Sequence, residues 1–363
     1  MDEKALTGKK MRQSSVCTLA GMAIGFRTFY AVVIDGGHLY GSGWLAILLA
    51  MIVSLPVSLL ILFLNRKKPQ LHPAEIIRES TGNIGCALIG LILACVLVYD
   101  AGAVLRIITG MVKYVALQET GNVPIAAVTA VSATAALLMG PDAIADSSVL
   151  WKRLAVVLVG VLIVSQIPYF RAAWLTPVLG QGMDELIDSA LPAAGMLSFI
   201  AGGWLMTDTG KEKKETALLR TGVYAGLSSC VLAALCGMLV PGLTDEPVGR
   251  SFRLGRLLAN ARAGLSLELP YVVLLYSGMV TVLLFELAAA AKAITIAIPA
   301  IKGNVGALSA GAGAFMVSVS GVAEREMASM LSKWYFPAVG VSLLLVGLCA
   351  VARGRTGGKE KEV

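Results

Sequence analysis

The chain carries a series of apolar windows, each about as long as a helix that crosses a lipid bilayer, and this series most constrains its fold. About 17 to 25 residues of helix cross the hydrocarbon core. Ten such windows lie at 14–35, 43–64, 84–105, 122–141, 151–170, 186–207, 219–243, 269–291, 303–323 and 334–352. With 57% hydrophobic and only 15% charged residues, the chain is too apolar for a soluble domain. The sequence predicts an all-α fold, a polytopic membrane helical bundle of ten spans.

The distribution of basic residues predicts the orientation of the bundle. Most Lys and Arg residues fall in the two tails and on one set of alternate loops, and such an excess marks the cytoplasmic side. We therefore expect both termini to be cytoplasmic in a cell membrane, and we assign the net charge of +7 to orientation and not to nucleic-acid binding. The exception is the segment from Arg250 to Arg262, which this topology places outside. A missed span there would reverse everything that follows it.

Residues 1–363 are predicted to form one transmembrane domain, with a tail at 1–13, five-helix halves at 14–170 and 186–352, and a tail at 353–363. Two connections, His72 to Gly82 and Ser251 to Leu265, have the apolar and charged spacing of helices that lie on a membrane surface. The six cysteines form no CxxC pair and the chain has only two histidines, so neither a disulfide framework nor a metal site is expected. No cofactor is predicted.

An odd number of spans in each half inverts the second half relative to the first, so ten spans admit an inverted 5+5 repeat. Transporters of that kind carry glycine- or proline-interrupted spans at corresponding positions. The segments Leu19–Phe26 in span one and Leu191–Trp204 in span six both contain a Gly-Met step followed by further glycine, so spans one and six are predicted to be discontinuous. The alternative is that these glycines only let neighbouring helices approach closely.

Four charged residues are assigned to the interior of the predicted spans, away from the charges at the span ends, and Arg106 is included although it directly follows the window of span three. A charge inside a span is costly and marks a functional candidate. The four residues are Arg27, Asp100, Arg106 and Glu286, and their formal charges sum to zero. We predict that the two arginines are matched by the two carboxylates around one cavity between spans one, three, six and eight. The alternative is a set of ion pairs that holds the bundle together without contacting a ligand.

Arg27 lies beside the predicted break in span one. Its guanidinium suits a bidentate clamp on a ligand carboxylate, with backbone N–H groups of Gly25 or Gly202 on the other side. A fixed cation there disfavours sodium coupling, since carbonyls freed by such a break are the usual sodium ligands. The remaining candidate ligand-binding residues are Gly21, Thr28, Tyr99, Ser198, Phe199 and Tyr276.

Several stretches resemble a known family. The segments His72–Gly85, Val104–Lys113 and Gln118–Gly121, with Ala190–Phe199 and the basic loop Lys211–Thr216, are similar to the permease-like B subunit of bacterial spore germination receptors. That family belongs to the amino acid, polyamine and organocation transporter superfamily. The resemblance implies the inverted 5+5 fold and a small amino-acid-like ligand. It also implies a spore inner-membrane location and two partners, a larger membrane subunit and a lipoprotein subunit.

Three functions follow from these observations. The first is a germinant-receptor subunit that binds a small nutrient in a transporter-type central cavity and signals germination. The second is a proton-linked or exchange-type amino acid transporter that uses the same cavity. The third, a membrane-embedded enzyme, is disfavoured because the spans contain neither HExxH, paired histidines nor Gly-x-Ser-x-Gly.

Overall fold

In the computed structural model the described residues are 13–35, 41–68, 71–175, 182–197, 199–207, 216–239, 268–322 and 324–356. They form α-helices with short π- and 3₁₀-segments and contain no strand. The helices are α1 Gln13–Phe29, α2 Gly43–Lys67, α3 Pro73–Val115, α4 Asn122–Met139, α5 Pro141–Gln166, α6 Met183–Leu197, α7 Ile200–Met206, α8 Ala217–Leu239, α9 Glu268–Ala297, α10 Gly303–Ser318 and α11 Glu324–Thr356. The predicted all-α membrane bundle is confirmed.

Eight helical segments, one of them formed by α6 and α7 together, are long and apolar enough to cross a membrane, and Pro337–Ala352 forms a shorter apolar stretch within α11. Each predicted window falls on one of these eight segments, on α10 or on α11, but several helices extend beyond the window. For example, α5 begins at Pro141 and α11 at Glu324, each about ten residues before the window predicted there. The exact number of ten spans and the inverted repeat stay predictions.

The outward faces of the bundle are apolar, as expected for helices in contact with lipid. Ile52 is 63% exposed, Val128 68% and Leu150 72%, although each is a large side chain that soluble proteins usually bury. These three residues lie on α2, α4 and α5 respectively. The protein is therefore a multi-pass membrane protein whose exterior contacts the bilayer.

Helix α3 passes through the middle of the bundle and packs against α9, α10 and α11. Small residues bring these helices close together. A Cβ added at Gly90 would lie 2.7 Å from the backbone nitrogen of Ala297 on α9, and one at Gly102 would lie 2.5 Å from Val317 on α10. Such close approach maximises van der Waals contact between membrane helices. It fixes the face of α3 that meets α9.

A kink at Gly82 divides α3 into two segments. Gly82 has φ 79° and ψ 180°, a conformation that is essentially restricted to glycine. The segment from Pro73 to Thr81 corresponds to the predicted surface helix, and His72 caps its start by accepting a hydrogen bond from the backbone of Ala74 at 3.2 Å. The kink lets this short segment leave the direction of the long span that follows.

The break predicted within span one is wrong in position. Helix α1 is uninterrupted over Leu19–Phe26, and it changes to π-helix only at Tyr30–Asp35. The glycines in this stretch serve packing: a Cβ at Gly21 would lie 2.8 Å from Thr221 on α8. Span six is interrupted within its predicted segment, because α6 ends at Leu197 and α7 begins at Ile200.

Several predictions fall on residues outside the described part of the chain. These are the candidate Ser198, both tails at their outer ends, the basic loop of residues 211–215, and the arginine-rich segment from Arg250 to Arg262 with its predicted surface helix.

Candidate functional site

A buried ion pair joins the first and third helices at the centre of the bundle. Nη2 of Arg27 on α1 donates to Oδ1 of Asp100 on α3 at 2.7 Å, and the two side chains are 6% and 0% exposed. A charged hydrogen bond of this length is among the stronger ones in proteins. It joins α1 to α3 at a level where both charged side chains are buried.

Glu286 on α9 is the third member of this group and is fully buried. It interacts electrostatically with both Asp100 and Arg27, and its carboxyl lies within hydrogen-bonding reach of the Asp100 carboxyl. Among the described residues, no N–H or O–H group donates to either Glu286 oxygen or to Oδ2 of Asp100. We call Arg27, Asp100 and Glu286 the charge cluster.

Arg106, the fourth predicted member, has different partners. It donates through Nη1 to the carbonyl of Val322 and through Nη2 to the carbonyl of Ser320, at 3.2 Å. Both carbonyls follow the C-terminus of α10, where backbone carbonyls lack helical partners and carry partial negative charge. Two turns of α3 separate Arg106 from Asp100, so the arginine faces a helix end and not the carboxylates.

Helix α7 packs over the charge cluster from the side of span six. The rings of Phe199 and Phe285 have centroids 5.8 Å apart, and a Cβ added at Gly202 would lie 3.2 Å from both Phe285 and Ala289. Phe199 is fully buried. These two predicted site residues therefore contact the turn of α9 that carries Glu286, and glycine at 202 permits that approach.

The remaining candidates lie around the same level or further away. Thr28 follows Arg27 and is fully buried, with no described hydrogen-bond partner for its hydroxyl. Tyr99 precedes Asp100 and is partly buried. Tyr276 is 36% exposed and lies ten residues before Glu286 on α9, which is roughly 15 Å along the helix axis.

A cavity of about 750 Å³ opens between α1, α5, α8 and α9. Its lining is largely apolar and includes Gly21, Gly25 and Phe26 of α1. The hydroxyl of Tyr271 is buried with no described hydrogen-bond partner, and Tyr271 contributes to the lining from α9. This volume is in the range of small-molecule sites.

The cavity and the charge cluster lie on different faces of α1. Gly25 and Phe26 line the cavity, and at 100° per residue Arg27 points about 150° away from their mean direction. Two of the predicted ligand-binding residues, Gly21 and Gly25, therefore line the cavity. Arg27 faces α3, on the opposite side of the helix.

Sequence reasoning missed two polar contacts between helices. The indole N–H of the buried Trp204 donates to the side chain of Asn65 on α2 at 2.8 Å, and the Ser15 hydroxyl donates to Asp146 on α5 at 2.8 Å. Asn65 ends an apolar run, which is a weak signal of a role inside the bundle. Asp146 lay outside the predicted window because α5 begins earlier than the apolar pattern suggests.

Comparison with solved structures shows a shared fold. Crystal structures of two mutants of the manganese transporter of Eremococcus coleocola superpose with a TM-score of 0.55 and 14% sequence identity, over 91% of this chain and 77% of theirs. The same transporter in complex with an aromatic bis-isothiourea substituted compound gives a TM-score of 0.53, also at 14% identity, over 90% of this chain and 76% of that one. At this identity the likeness concerns the fold alone.

Comparison by sequence gives the family. No curated protein matches the chain. Residues 12–244 match the family described as spore germination protein, the spore permeases, and this range includes every helix from α2 to α8 and all of α1. The resemblance noted in the sequence is therefore confirmed: the chain is a transporter-like membrane protein that belongs to the spore germination permease family.

Proposed function

We propose that this protein is the membrane subunit of a spore germinant receptor, which binds a small amino-acid-like nutrient in a central cavity and signals germination. The family match carries this proposal, because it spans three of the four helices that line the cavity. The receptor reading also proposes a spore inner-membrane location, cytoplasmic termini, and assembly with a larger membrane subunit and a lipoprotein subunit.

The chemistry of the cavity narrows the chemical class of nutrient that we propose. A largely apolar lining with a few hydroxyl groups suits a small ligand with an apolar body and few polar groups. The hydroxyl of Tyr271 supplies one buried group that gains a hydrogen-bond partner when such a ligand enters. The proposed ligand contacts on α1 are Gly21 and Gly25. Contacts from Arg27, Thr28, Tyr99, Ser198, Phe199, Gly202 and Tyr276 stay predictions.

A cavity-filling substitution tests the site. Gly160 lines the cavity, and a Cβ added there meets nothing within 4 Å, so Gly160→Leu places a side chain in the space proposed for the nutrient. Gly340 on α11 is equally open but lies outside the cavity lining, so Gly340→Leu is the matched control. In spores that carry each variant, we expect Gly160→Leu to raise the nutrient concentration for half-maximal germination about tenfold or more, which corresponds to a loss of about 1.4 kcal/mol.

The control variant should germinate like the parent. Equal responses from the two variants, at equal receptor abundance in the membrane, would count against a nutrient site in this cavity. Deletion of the gene should remove the response to one nutrient while other germination triggers remain effective. Retention of every nutrient response after deletion would reject the receptor function.

The second candidate is a carrier of amino acids, and the fold shared with a manganese transporter favours it. Uptake by the purified protein in liposomes separates the two functions. The receptor proposal predicts binding of a nutrient without net uptake by this subunit alone. Sustained uptake of a labelled amino acid, blocked by Gly160→Leu and not by Gly340→Leu, would establish the carrier instead.

A further inference from the structure

The buried charges of the charge cluster do not balance. Arg27 supplies one positive charge, whereas Asp100 and Glu286 supply two negative charges when both are ionised. The described parts of α7 and α10, which pack nearby, carry no titratable side chain, and Arg106 binds backbone carbonyls elsewhere. A net negative charge on carboxyl groups that are 0% exposed is costly. The cluster therefore requires one additional positive charge.

The hydrogen bonds point to the same conclusion. Three carboxylate oxygens, both of Glu286 and Oδ2 of Asp100, have no described donor, and both residues are 0% exposed. A buried ionised oxygen without a donor loses its hydration and gains nothing in return. The two carboxyl groups lie within hydrogen-bonding reach of each other, yet two carboxylates cannot bond because neither has a hydrogen to donate. One proton between the two carboxyl groups supplies the hydrogen that this bond needs.

An alkali cation fits this position poorly. Sodium sites in related folds use backbone carbonyls released by an unwound helix. Here α1 is helical through Arg27, and Asp100 and Glu286 lie within the long helices α3 and α9, so the carbonyls of these three helices beside the cluster are used in helical hydrogen bonds. The positively charged guanidinium of Arg27 also repels a metal cation that binds beside it at the two carboxylates. A proton needs only the two carboxyl oxygens.

We propose that Asp100 and Glu286 form a binding site for one exchangeable proton, which joins α3 to α9 while Arg27 neutralises the remaining negative charge. The proton lies between a Glu286 oxygen and Oδ2 of Asp100. On release it passes to water, and two carboxylates then face one guanidinium. Their mutual repulsion favours separation of α9 from α3, so proton occupancy favours the close packing of α3 on α9. This site is separate from the cavity and does not depend on the proposed function.

Infrared spectroscopy of the full chain in lipid vesicles tests the site directly. A protonated carboxylic acid has a C=O stretching band that ionised carboxylates lack, and we expect this band at neutral pH, shifted in D₂O. Both Glu286→Gln and Asp100→Asn should abolish it, because the one remaining carboxylate then pairs with Arg27 as an ion. Arg27→Gln should increase it on the order of twofold, because both carboxyls then bind protons.

Glu79→Gln is the matched control, since the Glu79 side chain is 51% exposed in an ion pair with Lys68, and it should leave the band unchanged. Carbon-13 labelling of glutamate carboxyls in the unsubstituted protein provides a measurement that does not depend on the folding of a variant. The label should shift the band. Absence of the band at neutral pH, its persistence in both carboxyl variants, or its appearance only after sodium and potassium are replaced by choline would overturn the proposal.

Discussion

Removing Arg27 should destabilise the protein more than removing its partner Asp100. The reason is the third member of the cluster, Glu286, which remains to neutralise Arg27 when Asp100 is lost. In Arg27→Leu no described cation remains near the two buried carboxyl groups, and removal of one partner from a buried pair costs about 3 to 5 kcal/mol. In Asp100→Leu the chief loss is one charged hydrogen bond of 2.7 Å, which costs about 1.5 to 3 kcal/mol.

The Lys68–Glu79 pair provides the comparison for an exposed ion pair. Its side chains are 29% and 51% exposed, so Lys68→Met should cost no more than about 1 kcal/mol. The combined substitution Asp100→Leu with Glu286→Gln should restore a large cost, since Arg27 then has no carboxylate partner in the cluster. The expected order of cost is Arg27→Leu, then Asp100→Leu, then Lys68→Met.

The assay is the unfolding of the purified protein in a single detergent, followed by the fraction that stays monodisperse as temperature or denaturant increases. All variants must be compared at one pH and one detergent concentration. A cost for Arg27→Leu that equals that of Lys68→Met would refute the description of Arg27 as an enclosed counter-ion. A larger cost for Asp100→Leu than for Arg27→Leu would show that Glu286 does not compensate.

Three further outcomes follow from other contacts. Gly102→Ala should lower stability by about 1 to 3 kcal/mol in the same unfolding assay, because its Cβ would lie 2.5 Å from Val317. The control Gly340→Ala, whose Cβ meets nothing within 4 Å, should be neutral or stabilising. Equal effects of the two substitutions would contradict the close packing of α3 on α10. Asn65→Leu should lower stability by about 1 to 3 kcal/mol, because it leaves the indole N–H of Trp204 buried without its acceptor. It should also shift the fluorescence of Trp204, and an unchanged spectrum would argue against that hydrogen bond. Arg106→Met should reduce stability by a similar amount but leave the carboxylic acid band intact, and loss of the band would return Arg106 to the charge cluster.

The membrane bundle was predictable because its signal is local. Each span must satisfy its own backbone hydrogen bonds within lipid, so an apolar window such as Gly43–Leu64 is enough to predict α2, which extends three residues further. The ends of α5 and α11 were not predictable in this way. Their first turns contain charged residues, which an apolar pattern leaves out, and only the structure shows that each helix begins before its predicted window.

The candidate site was predicted only in its composition. Because a charged side chain is costly inside a bilayer, the sequence identified four residues that need partners, Arg27, Asp100, Arg106 and Glu286. Their formal charges sum to zero, which suggested one balanced group of four. The structure assigns Arg106 to the carbonyls after α10. Helical phase on α3 separates Arg106 from Asp100, but it does not say which neighbouring helix each one meets.

The sequence by itself determined that this chain is a helical membrane protein and which of its buried side chains are ionisable, because hydropathy and the presence of an ionisable group belong to each residue. Tertiary structure decided which helices bring those ionisable groups together and where the cavity opens. It also decided that Gly21 and Gly25 pack without breaking α1. Partners that lie far apart in the chain, such as Arg27, Asp100 and Glu286, meet only through helix packing. Their spacing along the sequence therefore does not predict the contact.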